Sequence, residues 1–322
     1  AGVFDPSGRA PRGCITTAAS MIEQVDQFDP EFFGVSPREA VSVDPQQRLL
    51  LELSWEALEH AGVPAPTLRG RPVGVYIGAM SMDYGELIWS QSGRIDAHYG
   101  PGGALTVLSN RISYLLGLRG PSLTVDTACA SSLTATHLAC QALRGGEAEL
   151  ALVGGVILHL RPNGFVTMSR LGALARDGRS KAFDAAADGY GRGEGAGVLV
   201  LKRLSDAQRD GDPIWCVIRG TAINHNGTSN GLVAPSPQAQ AEVVREAWRR
   251  AGARPAEAAY VEAHGTGTAL GDPLEAEALG VVFGQGRPAE DPLLIGAVKA
   301  NIGHTETAAG AAGLIKVALS MH

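Results

Sequence analysis

A single cysteine stands where a strand-like pattern changes into a helical one. In "LTVDTACASSLTATHLACQAL", Cys129 follows an apolar run, and we expect a helix to begin near Ala130 or Ser131. The unpaired amides and the positive end of a helix N-terminus stabilise a thiolate, so the pattern predicts a pKa below the free value of about 8.5 for Cys129. The small neighbours, among them Ala128, leave room for a substrate at a corner that exposes a nucleophile.

Free cysteines in proteins are mostly buried and inert, so each cysteine of this chain is either a buried structural residue or a catalytic one. Cys140 lies within the helical pattern and Cys216 in an apolar strand-like run, so we interpret both as inert. With Cys14 the chain has four cysteines, no C-x-x-C pair and no regular spacing. A disulfide framework and a zinc site are therefore disfavoured, and a reducing cytoplasm is the expected setting.

Two histidines also follow apolar strand-like runs. His264 lies in "YVEAHGTGTALGDPLEAEAL", where Asp272 and Pro273 open a helix, and His304 lies in "IGAVKANIGHTETAAGAAGLIK", with Lys299 five residues before it. Each alone would be an ordinary loop histidine. Because ligands gather at the carboxyl ends of strands in open α/β sheets, we expect these two corners and that of Cys129 to converge on one pocket.

The elements that must position these residues alternate along the chain. Strands are predicted for 73–78, 122–127, 149–158, 196–204, 214–223, 258–264 and 293–300. Helical patterns separate several of them, and one begins at "DPQQRLLLELSWEALEHAG", with Asp44 as N-cap, Pro45 at N1 and Gly62 after its end. Nearly continuous apolar strands indicate sheets covered on both faces, and therefore a layered α/β fold.

Composition limits the class of protein. The chain has 322 residues, 45% of them hydrophobic, which is enough for a large core in a soluble protein. The net charge of −6 disfavours nucleic-acid binding. The longest apolar runs, such as "ELALVGGVILHL", are shorter than the roughly 20 residues that span a bilayer, so we expect no membrane segment.

The glycine run "DGYGRGEGAG" nearly matches a dinucleotide fingerprint. Gly191, Gly193 and Ala196 have the required spacing, but the run precedes a strand instead of opening a helix. A dinucleotide site is therefore disfavoured, and tight turns or a pocket wall are the better interpretation.

Three segments, taken together, resemble the active-site motifs of β-ketoacyl synthases. "VDTACASSL", "VEAHGTGTALGDPLEAEAL" and "GAVKANIGH", in this order, look like those of the ketosynthase domains of type I polyketide synthases, modular or iterative. "DPQQRLLLELSWEALE" and "ADGYGRGEGAGVLVLKRL" resemble the same family, so the likeness covers nearly the whole chain.

The resemblance implies a thiolase-like fold with five layers, α-β-α-β-α, in two pseudo-symmetric halves. Residues 1–205 would form the half with the nucleophile and 206–322 the half with both histidines and the lysine. The family's opening strand and its C-terminal Gly-Phe-Gly-Gly-Thr-Asn segment, whose amide completes the oxyanion hole, have no match in this sequence. A fold incomplete at both ends is therefore expected.

The resemblance also implies a reaction and roles for single residues. An acyl chain would pass from the phosphopantetheine thiol of an acyl carrier protein to Cys129 and then condense with a malonyl-type extender, releasing carbon dioxide. His264 and His304 match the pair that binds the extender carbonyl and stabilises its enolate, and Lys299 matches the lysine that orients the surroundings of the second histidine. Thr266 and Thr268 match hydroxyls that hold the pantetheine arm.

The implied partners are the carrier protein, neighbouring domains of a megasynthase and a second copy of the chain. Phosphopantetheine would arrive on the carrier protein, and no cofactor or metal of its own is expected. Three alternatives stay open: a non-elongating or transacylating ketosynthase, which would typically lose a histidine; a non-catalytic thiolase-fold partner, which would replace the cysteine; and a hydrolytic Cys-His enzyme.

Overall fold

Two β-sheets alternate with three layers of helices in this computed structural model, which describes residues 3–10, 12–90, 96–229, 231–288 and 290–322. The strands are β1 Val73–Gly78, β2 Ser122–Val125, β3 Leu150–Ile157, β4 Gly195–Lys202, β5 Tyr260–Glu262 and β6 Leu294–Gly296. The helices are α1 Pro37–Ala40, α2 Pro45–His60, α3 Asp83–Trp89, α4 Tyr99–Gly103, α5 Val107–Leu116, α6 Ser131–Gly145, α7 Asn163–Arg170, α8 Leu204–Asp210, α9 Pro237–Ala251, α10 Gly271–Phe283, α11 Lys299–Ile302 and α12 Ala309–Ser320. In the described ranges, no helix combines the length and the apolar character needed to cross a bilayer.

The first sheet has the strand order β2-β1-β3-β4. Strands β1, β2 and β3 are parallel, and β4 pairs antiparallel with β3, with Gly154 opposite Val198. Every residue of β1 and β3 is buried. Their uninterrupted apolar sequences suit the centre of a sheet that is covered on both faces.

Side-chain alternation along β1 divides the core of this half into two layers. On the outer face, Val75 and Ile77 pack with Leu50 and Leu58 of α2 and Ile112 of α5. On the inner face, Tyr76 of β1 packs with the small side chains of α6. Because Ala135 and Ala139 are the residues that α6 turns to the sheet, this helix approaches the strands closely.

The second sheet consists of β5 and β6, which run parallel. Val261 of β5 packs in the apolar cluster that α9 and α10 form on one face. On the other face, Glu262 accepts a hydrogen bond from Lys316 of α12 at 2.6 Å. Helices α6 and α12 pack against each other, so they form the layer between the two sheets. The layer order is therefore α-β-α-β-α.

Six of the seven predicted strands are present, but 258–264 is a strand only at Tyr260–Glu262 and 293–300 only at Leu294–Gly296, with Lys299 in α11. Asp44 caps α2 by accepting a hydrogen bond from the Gln46 amide at 2.8 Å, and Gly62, with φ of 69°, follows the end of the helix. The strand predicted at 214–223 is wrong, because these residues form no strand in the structure. Its apolar pattern reports a local preference, whereas a strand also needs a neighbour for its backbone hydrogen bonds, and none of the described strands pairs with it.

Gly78, the last residue of β1, permits the contact between the first sheet and the start of α6. A methyl group there would lie 2.6 Å from the backbone of Ser131 and Ser132, which cannot move without shifting the helix. We expect Gly78→Ala to lower the free energy of unfolding by about 3 kcal/mol, as in overpacked cores. Urea denaturation of the purified chain measures the change.

Gly280 of α10 is the matched control, since a methyl group there meets nothing within 4 Å. Gly280→Ala should stabilise the protein by roughly 0.5–1 kcal/mol, because alanine restricts the unfolded chain more than glycine does. Equal effects of the two substitutions would show that the close approach at Gly78 is not tight.

Candidate active site

Cys129 lies at the junction between β2 and α6, where the sequence places it. A short 3-10 turn, Ala128–Ala130, joins the strand to the helix, and Ala128 has a positive φ of 51°. The turn is held by Ser131, whose hydroxyl donates to the Ala128 carbonyl at 2.6 Å and accepts from the Thr127 amide at 2.9 Å. A non-glycine residue in this backbone region is strained, and such strain clusters at functional corners.

The surroundings of Cys129 favour the thiol over the thiolate. Burial, and after it the carboxylate of Glu306, raises its pKa to about 11, although the ammonium of Lys299 and the cysteine's own amide act in the opposite direction. The prediction of a lowered pKa is therefore wrong for the resting protein. The amides of a helix N-terminus stabilise a thiolate, but the loss of hydration on burial destabilises it by a larger amount.

His264 and His304 come together although 40 residues separate them in the sequence. Their ring centroids are 5.5 Å apart and nearly perpendicular. His264 follows β5, and His304 follows β6 and the short helix α11. The parallel pairing of β5 with β6 brings both carboxyl ends to one edge of the second sheet, as expected for such strands.

Backbone contacts fix the His304 ring in one tautomer. The Glu306 amide donates to Nδ1 of His304 at 3.0 Å, so in the neutral ring the proton lies on Nε2. Nε2 is buried and has no hydrogen-bond partner among the described residues. Burial first, and then the charge of Lys299, lowers the pKa of His304 well below its usual range. The result is a neutral N–H donor without a partner.

His264 also remains uncharged at neutral pH. The residue is partly open to solvent, but the protein packed around it and, to a lesser extent, the charge of Lys299 lower its pKa to about 4. Its backbone amide and that of Gly265 donate to the Glu275 carboxylate of α10 at 2.7 and 2.8 Å. Glu275 therefore fixes the loop that carries His264, and sequence reasoning missed it.

Lys299 lies at the start of α11 and is 5% exposed. Burial lowers its pKa, and the neighbouring acidic groups, first Cys129 and then Glu275, raise it. Its charge in turn lowers the pKa of Cys129 and of both histidines. The lysine is therefore the cation that couples the cysteine corner to the histidine corners.

Thr266 and Thr268 lie in the loop between His264 and α10. Their hydroxyl oxygens are 3.2 Å apart, and Thr266 also donates to Asp272 at 3.4 Å. Asp272, in turn, accepts hydrogen bonds from the amides of Gly267, Thr268 and Phe183. Thr266 is buried and Thr268 half-buried, so the loop presents Thr268 more openly than Thr266.

The glycine run forms a wall behind His304, as the pocket-wall interpretation predicts. The His304 amide donates to the Gly191 carbonyl at 2.7 Å, and the Gly193 amide donates to the His304 carbonyl at 3.0 Å. A methyl group at Gly191 would lie 1.8 Å from the Gly178 carbonyl oxygen. The glycines therefore let backbone segments pack directly on each other around the histidine.

Acidic and aromatic groups around the site were not singled out from the sequence. Tyr190 contacts His304 edge-on at 5.1 Å, and Glu306 forms a buried ion pair with Arg192. A signal for Glu275 was present, since an acid in the first turns of a helix can accept hydrogen bonds from the preceding loop. Nothing in the local pattern of Arg192 or Glu306 indicates that the two meet.

Family comparisons agree with this geometry. Residues 2–207 match the family described as Beta-ketoacyl synthase, N-terminal domain, and residues 215–322 match Beta-ketoacyl synthase, C-terminal domain. The predicted division at 205/206 stays a prediction.

Curated relatives of the chain are large polyketide synthases. The chain is 56% identical over 306 residues to a phenolphthiocerol/phthiocerol polyketide synthase component of Mycobacterium tuberculosis, covering 95% of the chain and 16% of that protein. It is 50% identical over 320 residues to the pikromycin polyketide synthase component PikAII of Streptomyces venezuelae, covering 99% of the chain and 9% of that protein. The chain thus spans a small part of each relative.

Solved ketosynthase structures share the fold. The ketosynthase from module 6 of the bacillaene synthase of Bacillus subtilis matches with a TM-score of 0.89 and 43% identity, over 99% of this chain and 53% of that one. An oxazolomycin ketosynthase domain from Streptomyces albus matches with a TM-score of 0.91 and 41% identity, over 98% and 55%. The predicted thiolase-like fold is thereby confirmed, and the chain belongs to the β-ketoacyl synthase family, among the ketosynthase domains of polyketide synthases.

Proposed function

We propose that this chain transfers an acyl group to Cys129 and condenses it with a malonyl-type extender carried by an acyl carrier protein. One observation carries the proposal: two uncharged histidines meet, the turn of Cys129 packs against the turn that follows His304, and His304 holds a buried Nε2–H without a partner among the described residues. Donors of this kind, fixed in place before the reaction, stabilise an oxygen that gains negative charge in a transition state.

The lowered histidine pKa values separate this function from a hydrolytic Cys-His enzyme. A general base works best when its pKa lies near the working pH, and a value of about 4 for His264 makes it a weak base at pH 7. A low pKa suits a neutral N–H donor, because the ring stays uncharged while it polarises a carbonyl. The two histidines therefore fit a role as hydrogen-bond donors to an enolate oxygen better than a role as a base that removes the proton of Cys129.

Acyl transfer is the first step. The sulfur of Cys129 attacks the thioester carbonyl of the incoming chain, the new S–C bond forms, and the bond to pantetheine breaks. The proton of Cys129 ends on the departing pantetheine thiol, so no proton is left over. The Cys129 amide beside the sulfur serves as an oxyanion donor, and Lys299 favours the developing thiolate.

Condensation is the second step. The bond between the carboxylate and the α-carbon of the extender breaks, and carbon dioxide leaves. The electron pair passes into an enolate, whose oxygen accepts hydrogen bonds from His264 and His304. The α-carbon then attacks the acyl group on Cys129, a carbon–carbon bond forms, and the Cys129 sulfur leaves as a thiolate, which takes up a proton from solvent to restore the thiol.

The structure also bears on a non-elongating ketosynthase and on a non-catalytic partner. A non-elongating ketosynthase typically loses a histidine, whereas both are present here and their rings lie together. A non-catalytic partner has no need of Cys129, which is retained at a strained corner. Thr268, the more open of the two threonines, is the better placed to contact the pantetheine arm of the carrier protein. Neighbouring synthase domains and a cytoplasmic setting remain predictions.

We expect His264→Ala and His304→Ala to retain acyl loading of Cys129 and to lose decarboxylation and condensation. Loading needs no donor from either ring, whereas the loss of one enolate donor costs about 3 kcal/mol, or roughly a hundredfold in rate. Intact-mass spectrometry after incubation with acyl thioesters measures loading, and release of labelled carbon dioxide from a malonyl thioester measures decarboxylation.

Cys129→Ser is the control for loading, and it should remove the acyl adduct while the fold persists. Condensation at the normal rate in both histidine variants would contradict the assignment. A wild-type chain that hydrolyses acyl thioesters and never condenses them would favour a hydrolytic Cys-His enzyme.

The raised pKa of Cys129 predicts how its alkylation depends on pH. With a pKa of about 11, the thiolate fraction, and with it the rate with iodoacetamide, should rise roughly tenfold per pH unit from pH 7 to pH 10. Lys299→Met removes a cation that lowers this pKa, so alkylation should become slower at every pH in that range. A tryptic map identifies the labelled cysteine and gives the rate.

Lys202→Met is the matched control, since Lys202 pairs with Asp210 and Asp212 and has no part in the site. It should leave the rate unchanged. A rate that levels off below pH 9, or label mainly on Cys140 or Cys216, would contradict the prediction.

Strand β2 supports the proposed homodimer. Within the described residues it pairs only with β1, so it is an edge strand, and Leu123 is 47% exposed. An open edge of this kind is a template for pairing with a second strand.

We expect sedimentation equilibrium to give a dimer. Leu123→Lys should weaken this dimer, whereas Val281→Lys, on the exposed side of α10, should not. A monomer at micromolar concentration would refute the dimer.

A further inference from the structure

A buried ion pair lies directly behind His304. Arg192 donates from Nε to Oε1 of Glu306 at 2.8 Å and from Nη2 to Oε2 at 3.0 Å. Arg192 is 5% exposed and Glu306 is 2% exposed. The two parallel hydrogen bonds give this pair a defined geometry, which a single contact between flexible chains would not.

The pair joins the two chain segments that enclose His304. Arg192 stands between Gly191 and Gly193, whose carbonyl and amide bind the His304 backbone, and Glu306 stands two residues after the histidine. Residues 191–193 therefore bind both the backbone of His304 and the side chain of Glu306. The ion pair closes this arrangement through side chains, across 114 residues of sequence.

Glu306 has a backbone conformation that needs such support. Its φ is 39°, in the left-handed region that disfavours residues with a side chain. Its amide is the donor that Nδ1 of His304 accepts at 3.0 Å. The direction of this amide therefore decides which ring nitrogen of His304 carries the proton.

Arg192 is itself held from the other side. Its guanidinium lies 4.7 Å from the centre of the Phe165 ring, in the geometry of a cation–π contact. A methyl group at the neighbouring Gly164 would lie 2.4 Å from Nη1 of Arg192. The guanidinium is thus confined between Phe165, the backbone at Gly164 and the Glu306 carboxylate.

We propose that Arg192 and Glu306 are positioning residues for the condensation step, because their ion pair holds the Glu306 amide against Nδ1 of His304 and so keeps the proton on Nε2. The inference rests on the proposed function, in which that Nε2–H binds the enolate oxygen. Replacing a buried ion pair with apolar groups is often neutral for stability, so stability alone does not account for the pair. The pair is better explained by its effect on geometry, because it fixes the segment of Arg192 relative to the segment of Glu306.

Loss of either partner affects the tautomer of His304. Without the Arg192 contacts, Glu306 keeps a buried carboxylate without its cation, and its strained backbone relaxes away from His304. Nδ1 then loses its donor, and the proton is shared between the two nitrogens. Only the fraction with Nε2–H binds the enolate oxygen, so decarboxylation slows while the sulfur of Cys129 still loads.

The test compares Arg192→Met, Glu306→Gln and the double variant in the full chain. We expect each single variant to lower kcat for decarboxylation of a malonyl thioester at least tenfold, with KM within twofold of wild type. Acyl loading of Cys129 should fall by no more than threefold, and Glu306→Gln, which removes a carboxylate that raises the pKa of Cys129, can load faster than wild type. The double variant has no unpaired buried charge, so it should recover the melting temperature of the wild type and still decarboxylate slowly. It keeps the test informative if a single variant folds poorly.

Two further measurements separate positioning from general stability. In protein labelled with nitrogen-15 at histidine, His304 should show a pure Nε2–H tautomer in the wild type and a mixture in the variants. Glu39→Gln is the matched control, because it breaks the partly buried pair of Glu39 with Arg111, away from the site. It should lower stability without changing the tautomer or kcat.

Two results would overturn the inference. One is a folded double variant with wild-type kcat and an unchanged His304 tautomer. The other is a fall of loading and decarboxylation in equal measure that simply follows the melting temperature and that Glu39→Gln shows as well. Failure of the proposed function looks different: the wild type itself would not decarboxylate, and the tautomer measurement would still decide whether the pair positions the ring.

Discussion

The packing of protein around the active-site side chains is the constraint on which the rest of the chemistry depends. Burial is the largest cause of the pKa changes of Cys129, His264, His304 and Lys299. It keeps the thiol protonated and both imidazoles neutral, since a charged form loses hydration there. The same packing holds the buried Nε2 of His304 in place before an oxygen becomes negative during the reaction. In the resting site the thiol and both imidazoles are therefore uncharged, and the negative charge that they meet develops only during the reaction.

The elements around the site pack closely because glycines leave room for their neighbours. Gly155 of β3 lies against the Thr307 carbonyl, where a methyl group would approach to 2.6 Å, and Gly310 of α12 lies against the Leu133 side chain of α6, where a methyl group would approach to 2.5 Å. Gly78 does the same at the start of α6. The 3-10 turn of Cys129 also packs against the 3-10 turn Glu306–Ala308, which follows His304.

Buried backbone groups in such a site need partners, and acidic side chains supply them. Glu275 accepts from the loop of His264, Asp272 from the loop of the threonines, and Glu262 from the Val298 amide just before Lys299. Each carboxylate fixes one of the loops that carry functional groups, and each lies outside the reacting centre. Because an unpaired buried amide is costly, the acids are as necessary to the geometry as the apolar core.

The sequence by itself determined the layered α/β class, the presence of most strands and helices, and the positions of Cys129, His264 and His304 after strands, because apolar periodicity and capping residues act over a few neighbouring positions. The ends of the strands in the second sheet were decided by the tertiary structure, which also places Lys299 in a helix. The tertiary structure alone decided the ionisation of these groups, the partnership of Arg192 with Glu306 and the absence of a strand at 214–223. Desolvation, buried ion pairs and strand pairing depend on residues far apart in the chain, so the local pattern around Cys129 indicated a helix N-terminus but not the carboxylate of Glu306 beside it. Local structural preferences depend on neighbouring residues in the sequence, whereas pKa changes, ion pairs and strand pairing arise only when the chain is folded.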